Sequence, residues 1–143
     1  MATKYLKGLA GLWAIWIYLS SCVVITRYQF ADFMSSRFGL SDSDAILALQ
    51  RTWWVVDRMY HILEFTILSA LLLQGFQMFK RRPLLILPTI LVLGAADEWH
   101  QAVVNFQAAH AYDAFIDAIG AGIALWVYVR TQIKHDTLAA TVA

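Results

Sequence analysis

Long apolar stretches alternate with short polar ones along this chain. Residues 8–26 run for 19 positions without a charge. A second stretch, 59–79, is apolar except for His61, Glu64 and a few amides and hydroxyls. A third begins at Pro83, whose fixed φ suits a first helical turn. It reaches about residue 103, although Asp97 and Glu98 interrupt it after Ala96. The fourth, 109–129, contains Asp113 and Asp117. A spanning helix needs about 20 mostly apolar residues to cross roughly 30 Å of hydrocarbon. The pattern therefore predicts an all-α, polytopic membrane protein, with four transmembrane helices bundled into a single domain over residues 1–143.

The longest intervening piece, 28–58, is expected to be an outer loop. Ser41-Asp42-Ser43-Asp44 offers side-chain oxygens to unpaired N–H groups and reads as a helix start. Beyond it, Ile46, Leu49, Trp53 and Val56 recur at helical spacing. This predicts a short amphipathic helix on the outer membrane surface, leading into the second span.

Composition supports the lipid reading. Sixty per cent of the chain is apolar or aromatic and 15% is charged, against roughly 45–50% and about 25% in soluble domains. Mean hydropathy is +0.58. The first stretch is longer than the core of about 7–15 residues in a signal peptide, and no Ala-x-Ala-like site follows it. It is read as a retained span. The net charge of +1 gives no reason to expect nucleic acid. The single cysteine, Cys22, excludes an intramolecular disulfide.

Charge also sets an expected orientation. Lys4, Lys7, Lys80, Arg81, Arg82, Arg130 and Lys134 fall on one side of four spans, and Arg27, Arg37, Arg51 and Arg58 on the other. The positive-inside rule then makes both termini cytoplasmic.

Nine of the ten acidic residues, all but Asp136, fall on the outer side or in the outer part of a span. At 1.5 Å per residue, His61, Glu64, Asp97, Glu98, Asp113 and Asp117 lie about 18–27 Å from the cytoplasmic ends of their helices. Such groups are costly in lipid, and usually face a bundle interior or a water-filled cavity. Asp57, His61 and Glu64 share a face of the second span, at i, i+4 and i+7. Glu98 and Gln101 share a face of the third, and Asp113 and Asp117 a face of the fourth. These eight residues form the candidate polar site.

Three chemistries suit such a set. His61, Glu98, Asp113 and Asp117 are candidate ligands for zinc or manganese. Paired carboxylates are material for acid–base catalysis or a proton relay. A cavity lined by them would receive a cationic or hydroxyl-rich ligand. Alternatively the layer is a network that joins helices by hydrogen bonds. His100 and His110 flank the expected outer turn and read as interfacial, while His135 reads as solvated. Ala114, Ala118 and Gly122 form a small-residue stripe suited to close packing.

At these positions the chain resembles the VanZ-like family of small membrane proteins. Asp57-Arg58-Met59-Tyr60-His61, followed by Phe65, is similar to the family's Asp-Lys-x-x-His-x-x-x-Phe. Asp97-Glu98-Trp99-His100-Gln101, then Asp113-Ala114-Phe115-Ile116-Asp117-Ala118-Ile119-Gly120, is similar to Asp-Glu-x-x-Gln, a gap, and Asp-x-x-x-Asn/Asp-x-x-Gly. The likeness covers about residues 57–122. Where the family usually has arginine in a Pro-Gly-Arg turn, this chain has Asn105, Phe106 and Gln107. That removes a bidentate partner for a carboxylate or phosphate. The resemblance implies a bacterial cytoplasmic-membrane protein acting at the cell envelope, in the manner of a family linked to teicoplanin tolerance. The leading expectation is a pocket for an envelope lipid or wall-related ligand. The alternatives are a metal-dependent hydrolase of lipid or prenyl-phosphate substrates and a structural subunit.

Overall fold

Helices form where the apolar runs lie, and local chemistry sets their ends. The computed structural model describes residues 2–23, 25–40, 43–105 and 111–142. Among them there is helix and no strand. Helix α1, Ala2–Ser20, stops short of the expected end of the first span. The Ser20 and Ser21 hydroxyls bond back to the carbonyls of Ile17 and Tyr18, at 2.9 Å each, as the chain turns away. Thr26, expected to close that span, instead opens α2, Arg27–Phe38. Its hydroxyl accepts from the Gln29 N–H at 3.2 Å, and Gln29 Oε1 accepts from the Thr26 N–H at 2.8 Å. This reciprocal cap satisfies two otherwise orphaned donors. The stretch read as an outer loop therefore holds a helix that the apolar pattern did not show.

The expected amphipathic helix and second span are one continuous element, α3, Ser43–Gly75. At 33 residues it is about 50 Å long. Its apolar stripe does not lie bare: the Phe30 ring of α2 meets Trp53, with centroids 5.1 Å apart. Ser41 and Asp42, half of the expected helix start, lie outside the described residues. Phe76 is extended and ends α3 before the expected boundary at Phe79. A short helix, α4, Gln77–Arg81, and a 3-10 turn at Pro83–Leu85 reverse the chain. Two long helices follow, α5, Ile86–Asn105, and α6, Ala111–Val142.

Helix α3 packs along both α1 and α6, and α6 also packs along α5. The α1–α3 pair is antiparallel, since Trp13 reaches Glu64 while Leu6 and Lys7 lie beside Gly75. Helices α3 and α6 run parallel, with Arg58 opposite Asp113 and His61 opposite Asp117. Helices α1 and α5 do not pack along each other; they meet where Tyr18 and Ser21 reach His100. The apolar core includes Ile17, Phe65, Leu73, Phe79, Ile86, Ile90 and Ala124.

Polarity is inverted relative to a water-soluble bundle. Glu64, Glu98, Asp113 and Asp117 are among the buried residues, while Leu12, Val92, Phe115 and Trp126 are exposed. One described stretch, Tyr112–Lys134, is by itself long and apolar enough to cross a membrane. The other expected spans fall short of that measure for visible reasons. Helix α1 carries Trp13, Trp16 and two lysines, the second span is cut at Phe76, and α5 ends in its acidic, histidine-bearing motif.

Candidate functional site

The polar residues separate into two groups, on two faces of α3. The first group joins α3 to α6. Arg58 Nε lies 3.1 Å from Asp113 Oδ1, and its other nitrogens reach Asp57 Oδ2 at 2.6 Å and the Tyr112 hydroxyl at 3.0 Å. One turn further on, His61 Nδ1 lies 3.2 Å from Asp117 Oδ1. Asp117 is wholly buried (0% exposed), and neither of its oxygens takes an aligned hydrogen bond. An isolated buried carboxylate is very costly, so Asp117 depends on the nearby imidazole.

Two glycines allow this seam. A Cβ added at Gly94 of α5 would lie 2.5 Å from Asp117 Oδ2 and 3.2 Å from the Ala114 Cα. A Cβ added at Gly120 would lie 2.5 Å from the Ile62 carbonyl and 2.9 Å from the Thr66 nitrogen. The Thr66 hydroxyl donates to the Ile62 carbonyl at 2.6 Å and approaches the Gly120 carbonyl at 3.2 Å. Of the expected small-residue stripe, Ala114 is at a close contact, whereas a Cβ on Gly122 would meet open space. The tight crossing of α3 and α6 is at Gly120 instead.

The second group lines a cavity of about 310 Å³ between α1, α3 and α5. Asp57, His61 and Glu64 reach it from α3, and Asp97 and Gln101 from α5. Ser20 Oγ lies 3.1 Å from Glu64 Oε1, sharing its one proton between that oxygen and the Ile17 carbonyl, and Trp13 Nε1 donates to the Glu64 carbonyl at 2.9 Å. Gln101 Nε2 donates to Asp97 Oδ2 at 2.8 Å. Trp16, Trp53 and Tyr60 complete much of the wall. Neutral donors thus hold Glu64 and Asp97 at the edge of open space, in contrast to the ion-paired acids of the seam.

The sequence-derived set is placed as follows. Asp57, His61, Glu64, Asp97 and Gln101 meet at the cavity, as the shared face of the first three implies. Asp113 and Asp117 face α3 and do not line it. Glu98 is buried but does not line it either. On α5, Gln101 donates to Asp97, four residues before it. Among the described residues His61 and Asp57 touch both groups, His61 through Asp117 and Asp57 through Arg58.

No three His, Cys, Asp or Glu side chains among the described residues are grouped to hold an ion. Of the candidates, Asp113 is held by Arg58 while His61 and Asp117 pair with each other. His100 bonds Ser21 at 3.0 Å, and its ring lies 4.4 Å from that of Tyr18, so it ties α5 to the end of α1. Phe106, Gln107 and His110, with the side chains of Asn105 and His135, lie outside the described residues.

Sequence reasoning missed Ser20, Trp16, Tyr60, Gly94 and the pairing role of Arg58. Trp16 and Ser20 are four residues apart at the end of an apolar run, a readable signal that one face of α1 turns polar. Gly94 left none, because its role depends on a carboxylate 23 positions later in the chain. No protein-family description, curated protein or solved structure matches this chain.

Proposed function

We propose that the chain is a multi-pass protein of the bacterial cytoplasmic membrane, VanZ-like in kind, whose outward-facing pocket binds an envelope lipid or wall-related ligand. In this reading α1, the second half of α3, α5 and α6 cross the bilayer, and both termini are cytoplasmic. The inverted polarity supports it, since exposed Leu12, Val92 and Phe115 suit lipid and not water. Lys7, Lys80, Arg81 and Arg82 gather at the end of the bundle opposite the acids, as the positive-inside rule requires of a cytoplasmic face. Half of α3 then projects outward, because about 50 Å exceeds the roughly 30 Å of a hydrocarbon core.

The observation that carries the functional reading is the cavity itself. Glu64 is only 4% exposed yet lies beside open space, and it shares that space with Asp57 of the same helix and with Asp97 and Gln101 from α5. Acids held in this way by neutral donors are poised for a ligand, whereas a purely structural network would consume them within the protein.

The test is teicoplanin susceptibility of a strain lacking the gene and complemented with wild type, Glu64→Gln or Asp97→Asn. The wild-type protein should resist alkaline extraction from membranes and restore tolerance. The amide variants should reach the same abundance and fail to restore it. Release of the wild type by alkali, or full tolerance from both variants, would overturn the reading.

A further inference from the structure

The polar cavity has an apolar neighbour. A second cavity of about 330 Å³ opens between α1 and α5, where those helices do not pack along each other. Ala14, Ile17, Phe65, Leu68, Leu93 and Trp99 are among the residues that line it. Asp97 lines both cavities. Each is near the lower end of ligand-pocket volumes, and they adjoin at Asp97, which forms part of both walls. A polar compartment joined to an apolar one matches an amphiphile.

Charge selects the head group. The polar compartment is lined by Asp57, Glu64 and Asp97, and no lysine or arginine lines it among the described residues. Arg58, the nearest guanidinium, is engaged by Asp57 and Asp113. His61 is turned to Asp117 through Nδ1. An anionic head would meet carboxylates, and the nearest cations, Arg58 and His61, are already paired with Asp113 and Asp117. Gln101 occupies only one oxygen of Asp97, Oδ2. The faces of Trp16, Trp53 and Tyr60 on the same wall would add attraction for a cation.

We propose that the two cavities form one site for a single-chain amphiphile with an ammonium head. The head sits between Glu64 and Asp97, and the chain lies in the groove between α1 and α5. This rests on the pocket reading given above and narrows its ligand, away from phosphate-headed lipids.

The full-length protein in neutral maltoside micelles tests it, by calorimetric titration with dodecylammonium, dodecyl phosphate, dodecanol and butylammonium. Dodecylammonium should bind saturably, and at least about tenfold more tightly than the phosphate or the alcohol. Asp97→Asn should weaken it roughly tenfold. Ala14→Leu fills the groove from α1 without touching an acid. It should weaken dodecylammonium by a similar factor and leave the weaker binding of butylammonium unchanged. Preferential binding of dodecyl phosphate or dodecanol would overturn the ammonium assignment while leaving the pocket intact. Saturable binding of none of the four would overturn the pocket reading along with it.

Discussion

The two faces of α3 near its middle carry the same residue types at the same level and put them to different use. Toward α6, Asp113 and Asp117 are closed off by Arg58 and His61, with Gly94 and Gly120 bringing backbones close enough to exclude space. Toward α1 and α5, Glu64 and Asp97 take neutral hydroxyl and amide donors and border about 310 Å³ of open volume. A buried acid with a charged partner is architectural, because removing either partner strands the other. A buried acid with a neutral partner beside a cavity still faces that open space. Burial alone does not separate the cases: Glu64 and Asp113 are almost equally covered.

If this division is right, seam and cavity substitutions should part company in an unfolding titration in micelles. Asp117→Ala should have the largest effect, about 3–5 kcal/mol, because it removes the carboxylate that His61 pairs with inside the α3–α6 seam. The double variant His61→Phe, Asp117→Val should recover most of that loss, since an apolar pair needs no counterion. A single-variant loss below about 1 kcal/mol, within the range of one ordinary hydrogen bond, would show that the pair is not architectural.

Gly120→Ala should come next, at about 1–3 kcal/mol, because its new methyl group meets the α3 backbone instead of a side chain that can swing away. Thermal unfolding that leaves Gly120→Ala indistinguishable from wild type would mean that α3 and α6 can separate freely there. Glu64→Gln should have the smallest effect on stability, about 0.5 kcal/mol or less, because the amide oxygen still accepts from Ser20. A loss as large as that of Asp117→Ala would erase the distinction between the two faces.

The helical character was legible in the sequence because apolar runs of spanning length leave few alternatives. The positions of the acids along their own helices were legible too, since helical rise is 1.5 Å per residue. The shared face of Asp57, His61 and Glu64 followed from helical periodicity, and all three reach the cavity. Helix ends were less legible. The cap formed by Thr26 and Gln29 was written in the chain, but the apolar run through residue 26 masked it. On α5, periodicity could not choose between Glu98 and Asp97 as the companion of Gln101. Both are within a helical turn of it, and only the position of α1 and α3 decides which one meets open space.

The sequence by itself determined that this chain is helical and that its ionisable groups fall among apolar residues, because composition and helical rise depend on no neighbour. The tertiary structure decided which acids are neutralised and which face a cavity. That choice depends on how closely helices approach, which glycines at 94 and 120 permit along the α3–α6 and α5–α6 contacts. It depends equally on α1 and α5 standing apart to leave the groove that continues the site. A layer of eight residues thus became a seam and a pocket, with His61 on the boundary between them.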